Sequence, residues 1–303
     1  MPNKSDSAGK LHQYYSCLAF TKLHENLVFS SPLQNQEARN FHVNCLDKSS
    51  IESLVELGRE TAKLFDEDVK FKPTKILDVG ESAGAGRIDE TCDVKISNED
   101  QSESYSLKCG KGSLDQILSR NMGSKSLLEK YFDSKKEQQD FNKFLKEHRV
   151  NFFNSILKKK VSDERKGAMM VNEDACQKGY GKARFAYYPE ASKARDEFLN
   201  LLQGKLLFIL KDLNPDKLVK ATNLILDAGK KHIIGTYQRG SEKAEIQIID
   251  FQQIADFQGV EKRGNDSVKI LLKDYHVGFR FKFESGITSS VKLVGDYKKT
   301  NNL

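Results

Sequence analysis

The sequence predicts an α/β fold, and three observations carry that prediction. Helical patterns alternate with short runs of strand formers over roughly the first 165 residues. Within Cys92–Ser113, two such runs flank a polar turn, which is typical of a β-hairpin. From Lys231 onward the apolar residues recur with period two, which predicts a β-rich end of the chain.

The composition bounds the class of protein. The chain has 303 residues, 38% hydrophobic and 30% charged, which is typical of a polar globular protein with a sizeable core. The net charge of +6 permits a polyanionic partner without demanding one. No apolar run approaches the roughly 20 residues of a membrane span. The N-terminus lacks the apolar core of a signal peptide, so we expect a cytoplasmic protein.

The cysteines and histidines give no metal-binding pattern. The five cysteines are odd in number and widely spaced, which favours reduced thiols. The histidines are scattered, so a structural zinc site is not expected. Cys92 and Cys109 flank the hairpin, where a packing role is favoured over a catalytic thiol.

The elements before the hairpin follow in order. Helical spacing predicts a helix within residues 10–30, and the capping box Ser49-x-x-Glu52 starts another that ends near Asp66. Residues 75–79 read as a short strand. The glycine-rich segment 80–87 then resembles the cofactor loop of S-adenosylmethionine-dependent methyltransferases, in which glycines let the backbone approach a ligand at a helix N-terminus. No apolar helix follows it, so we prefer a loop near DNA and keep a methyltransferase as an alternative.

The hairpin brings three reactive groups together. Its strands are predicted at residues 93–97 and 104–109, on either side of a polar turn. Side chains at i and i+2 share a face, so Ser106 and Lys108 point the same way and Leu107 points into the core. Asp93 begins the first strand and can approach the end of the second. A carboxylate, a hydroxyl and an ammonium in one place suit metal-dependent phosphodiester hydrolysis.

These residues also carry a resemblance to a known family. D-V-K-I, a turn and Y-S-L-K-C-G-K-G-S resemble the active-site hairpin of the PD-(D/E)xK nuclease superfamily, above all type II restriction endonucleases. The resemblance implies a restriction-endonuclease-like core, a mixed sheet flanked by helices, with a helical and β-rich C-terminal part. It implies that Asp93 binds Mg²⁺ and that Lys108 is catalytic. Ser106, which we count with the catalytic residues, replaces the usual second carboxylate.

The source of that second carboxylate is open. In the resembled fold a helix before the hairpin often supplies a glutamate. Glu56 and Glu60, four residues apart on the second predicted helix, are therefore candidate metal ligands. A solvated helix face is the alternative for each, and Asp89 and Glu90 are the next candidates.

Candidate DNA contacts follow the hairpin and recur near the C-terminus. Hydroxyl and ammonium groups are the usual partners of phosphates. The candidates are Lys111, Ser113, Ser119 and Ser124, then Arg280, Lys282 and Lys292 on and beside the predicted strand F-R-F-K-F. Between them, helices are predicted at 137–160, 191–212 and 215–228, with a long loop at 162–190.

Together these features predict a restriction-type, Mg²⁺-dependent DNA endonuclease. Residues 1–165 would form the nuclease core with N-terminal helices, and 166–303 a part that positions double-stranded DNA. A homodimer is compatible with this function, and the oligomeric state is open. The alternatives are a catalytically inactive nucleic-acid-binding protein and the methyltransferase.

Overall fold

The computed structural model describes residues 4–79, 92–111, 120–226, 228–229, 231–237, 245–250, 256–273 and 275–299. Contacts divide the chain into two units. Unit 1 comprises Met1–Leu118 and Asp227–Gln253, and unit 2 comprises Ser119–Leu226 and Ile254–Leu303. The expected boundary at residue 165 falls inside unit 2. As a division of function, that boundary stays a prediction.

The strands form one sheet in each unit. Their bounds are β1 Val28–Ser30, β2 Lys75–Asp78, β3 Val94–Ser97, β4 Ser102–Gly110, β5 Arg120–Asn121, β6 Lys231–Thr236, β7 Ile246–Asp250, β8 Phe257–Arg263, β9 Ser267–Leu272, β10 Tyr275–Phe283 and β11 Val291–Lys299. In unit 1 the order is β1-β2-β3-β4-β6-β7. The β2–β3 and β3–β4 pairs are antiparallel, whereas β4 and β6 are parallel. The sheet is therefore mixed, as expected.

Helices flank these strands. Their bounds are α1 Lys4–Phe20, α2 Gln36–Val43, α3 Lys48–Asp68, α4 Leu127–Phe132, α5 Lys135–Leu157, α6 Glu164–Gln177, α7 Pro189–Asp212 and α8 Pro215–Leu226. The first helix was placed too late, since β1 occupies residues predicted as helical. The cap of α3 was also placed wrongly. Asp47, not Ser49, precedes the helix, and its carboxylate accepts from the Ser50 amide at 2.8 Å.

The core of unit 1 lies between the sheet and the helices α1 and α3. Alternate strand residues such as Val94, Tyr105 and Leu107 are buried there with Phe65 of α3. The two helices pack closely at Gly58, where a Cβ atom would lie 2.8 Å from the carbonyl carbon of Tyr15. Glycine is therefore required for this helix contact.

A buried histidine lies in the contact between α1 and α3. His12 is fully buried, and its Nε2 lies 2.9 Å from Thr61 Oγ1. The Thr61 hydroxyl donates to the Leu57 carbonyl at 2.8 Å, so it accepts from His12 and fixes the Nε2–H tautomer. Burial lowers the pKa of His12 from its ordinary 6.5 to about 3. His12 is therefore neutral in the folded protein over a wide pH range.

We expect this histidine to make the fold sensitive to acid. Below pH 6.5, His12 becomes protonated in the unfolded chain, whereas in the folded protein it stays neutral down to about pH 3. The contribution of neutral His12 to the free energy of unfolding is complete above pH 6.5. It falls as the pH is lowered from 6.5 towards 3, and about 2 kcal/mol is lost at about pH 5. Urea unfolding at several pH values measures it. His12→Gln keeps a donor for Thr61 and should lose this part of the pH dependence; an unchanged profile would contradict the assignment.

The sheet of unit 2 is antiparallel in the order β5-β11-β10-β9-β8. Along β10, Phe279 and Phe281 are buried, whereas Arg280 and Lys282 are exposed. The predicted alternation of this strand is confirmed. One face packs inward, and the cations point outward.

The predicted loop at 162–190 is wrong for half its length, because α6 occupies residues 164–177. Asp163 caps that helix by accepting from the Lys166 amide at 2.8 Å. Gly167 allows close packing, since a Cβ atom there would lie 2.6 Å from the Phe153 ring. The inward face holds small residues and a single valine, Val171, so the apolar periodicity was too weak to predict a helix. Among the described helices, none is both long and apolar enough to cross a membrane.

Candidate active site

The candidate site lies on the predicted hairpin, which the structure confirms. Val94 pairs with Tyr105 and Ser97 with Ser102. The turn is closed by Asn98, whose side-chain oxygen accepts from the Asp100 amide at 3.0 Å and the Gln101 amide at 2.7 Å. This local hydrogen bonding explains why a polar segment turns the chain here.

Asp93 directly precedes β3 and is held by both neighbouring strands. Its backbone N–H donates to the Tyr105 carbonyl at 2.8 Å, and its carbonyl accepts from Val79 at 3.0 Å. Its carboxylate oxygen Oδ2 accepts from the Leu107 amide at 2.7 Å and from the Ser106 hydroxyl at 3.1 Å. The carboxylate is therefore oriented by two donors from β4.

Ser106 and Lys108 share the face of β4 on which Asp93 lies. Leu107 between them is buried among the core residues, as the alternation predicted. Ser106 is also buried, and Lys108 is half-buried. The structure thus brings the hydroxyl and the carboxylate into contact and places the ammonium on the same side of the sheet.

His232 is a residue of this face that the sequence reasoning missed. Strand β6 pairs with β4 so that His232 is opposite Ser106, and Ile234 is opposite Lys108. Partners in register share a face of a sheet, so His232 lies on the side of Asp93. It is fully buried. Only the long-range pairing of strands could reveal it, because no local motif contains it.

The two glutamates expected to supply a second carboxylate lie on the outer side of α3. Glu56 is 3.0 Å from Arg59, and Glu60 is 2.6 Å from Lys63, each one turn along the helix. Their role as metal ligands stays a prediction. The reserve candidates Asp89 and Glu90 lie outside the described residues.

Other carboxylates near the hairpin are engaged elsewhere. Asp78 pairs with Val94, so it points to the face opposite Asp93, where it is buried and accepts from Ser31 at 2.5 Å. Lys231 lies 2.7 Å from Asp68 and 3.1 Å from Glu103. Within the described part of the chain, no three His, Cys, Asp or Glu side chains form a group that could hold a metal ion.

The cysteine beside the site is not a thiolate. Burial raises the pKa of the Cys109 thiol to about 12, and the Asp93 carboxylate adds to the shift. A thiol with that pKa is almost fully protonated near neutral pH and is a poor nucleophile. This supports the packing role expected for Cys109. The glycine-rich segment of the methyltransferase alternative lies outside the described residues.

The predicted DNA contacts occupy different environments. Lys111 donates to the Ser50 hydroxyl at 2.9 Å, beside the N-cap Asp47 at 4.0 Å and over the Tyr237 ring at 5.3 Å. Ser124 is buried and donates to the Val291 carbonyl at 2.9 Å, a bond that a DNA contact would have to break. Ser113 and Ser119 lie outside the described residues.

The C-terminal candidates belong to unit 2. Arg280 donates to the Asp266 carboxylate at 3.0 Å. Lys292 lies 2.5 Å from Glu284, and its hydrogen bond lowers the pKa of that carboxyl. Lys282 is exposed and has no ion pair with any described residue. Of these cations, Lys282 is the most available to an anion.

Comparison with known proteins gives a distant relative. The chain is similar to the type II restriction enzyme BsuRI of Bacillus subtilis, with 27% identity over 189 residues. The match covers 60% of this chain and 32% of the enzyme, so the chain spans about a third of that enzyme's length. No protein-family model matches the chain. No solved structure matches it either. The similarity supports a relationship to restriction endonucleases.

Proposed function

We propose that this protein is a metal-dependent DNA endonuclease of the restriction type, with a PD-(D/E)xK-like site. The observation that carries the proposal is the carboxylate of Asp93, held by Ser106 and Leu107 on the face that also bears Lys108. The similarity to a type II restriction enzyme supports the same activity. The substrate would be double-stranded DNA.

The donor chemistry around Asp93 fits Mg²⁺. This hard cation prefers oxygen ligands and keeps several of its waters, so a site with few protein ligands suffices. The Asp93 carboxylate, oriented at Oδ2 by Ser106 and Leu107, is an oxygen ligand of the kind this cation takes. When bound, Mg²⁺ would lower the pKa of a coordinated water and polarise the phosphate.

The residues of the chain would divide the remaining work. Asp93 would bind the cation and fix its position, because the Leu107 amide and the Ser106 hydroxyl fix the plane of its carboxylate. Ser106, which stands where the resembled family has its second carboxylate, would act through Asp93 by orienting that carboxylate. Lys108 would stabilise the negative charge that develops on the phosphate in the transition state. The second carboxylate would come from Glu56, Glu60 or a residue outside the described segments.

A nucleic-acid-binding protein without catalysis is the second candidate. It is favoured because, among the described residues, no three His, Cys, Asp or Glu side chains form a group that could hold a metal ion. In that case the hairpin would bind phosphate through Lys108 and release it unchanged. Digestion of a long duplex with and without Mg²⁺, followed by sequencing of the ends, separates the two functions.

Lys108→Ala should reduce the Mg²⁺-dependent cleavage rate at least roughly a hundredfold, the usual effect of removing one group that stabilises transition-state charge. DNA affinity should change little, because binding energy is spread over many phosphate contacts. The measurements are single-turnover cleavage and filter binding. Lys75→Ala, at the far end of β2, removes the same charge as a control. Equal rates for both variants would remove Lys108 from the mechanism.

A further inference from the structure

Unit 2 contains a cleft of about 560 Å³ that the proposed cleavage chemistry does not use. Two chain segments form its walls, the turn that carries Asn265 and Asp266 and the segment from Glu284 to Gly286. Arg280, Lys282 and Arg195 reach it from β10 and α7. A cavity of this size is in the range of small-molecule sites.

The first wall is fixed from beneath by Gln203 of α7. This side chain is fully buried. Its amide nitrogen donates to the carbonyls of Arg263 at 3.2 Å, Gly264 at 3.0 Å and Ser267 at 2.6 Å. Gly264 has φ +57°, so the turn also needs a residue that tolerates the left-handed region. One buried amide thus holds the whole turn.

The second wall is fixed by Arg149 of α5. Its guanidinium is 2% exposed and donates to the carbonyls of Ile287 at 2.7 Å and Ser289 at 2.8 Å. Four phenylalanine rings surround it within 6 Å, those of Phe152, Phe153, Phe198 and Phe283. Burying a polar group is costly, and two such groups here fix the two walls of one cleft. The cleft is therefore preformed.

The charges in the cleft favour a ligand with both donors and acceptors. Three cations, Arg195, Arg280 and Lys282, are matched by three carboxylates, Asp196, Asp266 and Glu284. An isolated phosphate would be repelled by the carboxylates. Asp266 accepts from Arg280 at 3.0 Å and from Ser267 at 2.8 Å, so both partners of the central ion pair are oriented.

One side of the cleft is aromatic. The half-buried rings of Phe185 and Phe283 line it and meet edge to face at 5.1 Å, whereas Phe281 is fully buried and offers no ring surface to a ligand. Flat apolar surfaces beside a few oriented polar groups suit a polar heterocycle. Arginine, asparagine and aspartate are also the side chains that pair with the edges of guanine, adenine and cytosine.

We infer that this cleft binds a nucleobase, with Arg280 as the group that reads its edge and Asp266 as the residue that positions Arg280. The inference goes beyond the proposed function, because it requires no cleavage. The inference rests on the proposed function in one respect only, which is that the nucleobase comes from DNA. A base that has left its stack would be held by aromatic contacts and by hydrogen bonds to its edge.

The absence of tryptophan from the sequence gives a direct test. In the full chain, Phe185→Trp places a single reporter in the cleft. We expect its fluorescence to be quenched by at least one of the four deoxynucleoside monophosphates and not by inorganic phosphate. Arg280→Ala in this background should weaken binding roughly tenfold to a hundredfold. Arg280→Lys should weaken it too, since lysine lacks the fork. Arg165→Ala, an exposed cation of α6, should have no effect.

Two sources of the base are compared in the same assay. If a duplex with one unpaired base binds more tightly than the monophosphates, DNA is the source of the base. If the monophosphates bind more tightly, a free nucleotide is the ligand. Equilibrium dialysis of the unaltered chain against labelled monophosphates gives the answer even if the tryptophan variant does not fold. Quenching by phosphate alone, no binding of any base, or full binding by Arg280→Ala would overturn the inference. Loss of cleavage with intact base binding would overturn only the proposed nuclease.

Discussion

Asp93→Asn should lower the Mg²⁺-dependent cleavage rate by on the order of a thousandfold or more, because the metal's contribution of several kcal/mol needs an anionic ligand. The fold should survive. The asparagine oxygen can still accept from the Leu107 amide, which is the shorter of the two bonds at 2.7 Å. The change therefore removes charge while keeping shape. Single-turnover cleavage and a thermal melt measure the two effects separately.

The same variant should bind DNA at least as tightly as the wild type in EDTA at fixed salt, since a carboxylate repels the scissile phosphate. Asp100→Asn provides the matched control. It removes an equal charge from the exposed turn of the same hairpin. An Asp93→Asn variant that cuts at the wild-type rate would show that Asp93 only caps the strand.

Arg149→Met should destabilise unit 2 by about 3 kcal/mol. The substitution leaves the buried carbonyls of Ile287 and Ser289 without their donor, and each such loss costs roughly 1–3 kcal/mol. Part of that is recovered because methionine removes a poorly solvated charge. Burial lowers the pKa of Arg149 to about 10, in the direction expected for a charge held away from water. Unfolding of both proteins in guanidinium chloride measures the difference in their free energies of unfolding.

Arg149→Lys is the informative companion to this variant. Lysine keeps the charge but lacks the planar guanidinium that reaches two carbonyls, so this variant should also be less stable than the wild type. Arg165→Met, on the exposed side of α6, controls for loss of a cation. A methionine variant as stable as the wild type would mean that the aromatic rings alone hold this region.

The hairpin could be predicted because its determinants are local. The alternation of apolar and polar residues around Leu107 predicts which face of the strand is buried. The polar turn at Asn98 predicts where the chain reverses direction. From these two features follow the shared face of Ser106 and Lys108 and the approach of Asp93. The exact contact, a serine hydroxyl on the aspartate, depends on register and was not predicted.

The remaining features depend on contacts distant in sequence. His232 joins the site only because β6 pairs with β4. Arg149 and Gln203 look like ordinary polar residues of amphipathic helices, yet they are buried and hold turns far along the chain. The apolar face of α3 turns Leu57 inward and places Glu56 and Glu60 on its outer side, beside Arg59 and Lys63. Periodicity describes one element at a time and cannot give such contacts.

The parallel pairing of β4 with β6 has a consequence for synthesis. The ribosome delivers β4, Ser102–Gly110, well before β6, Lys231–Thr236, and most of unit 2 is made in between. Until then the strand that carries Ser106 and Lys108 has an open edge, which invites pairing with other chains. The candidate active site is thus completed only late in translation. A nascent chain would carry Ser106 and Lys108 on an unfinished sheet. A premature stop after unit 2 begins would therefore yield an aggregation-prone fragment.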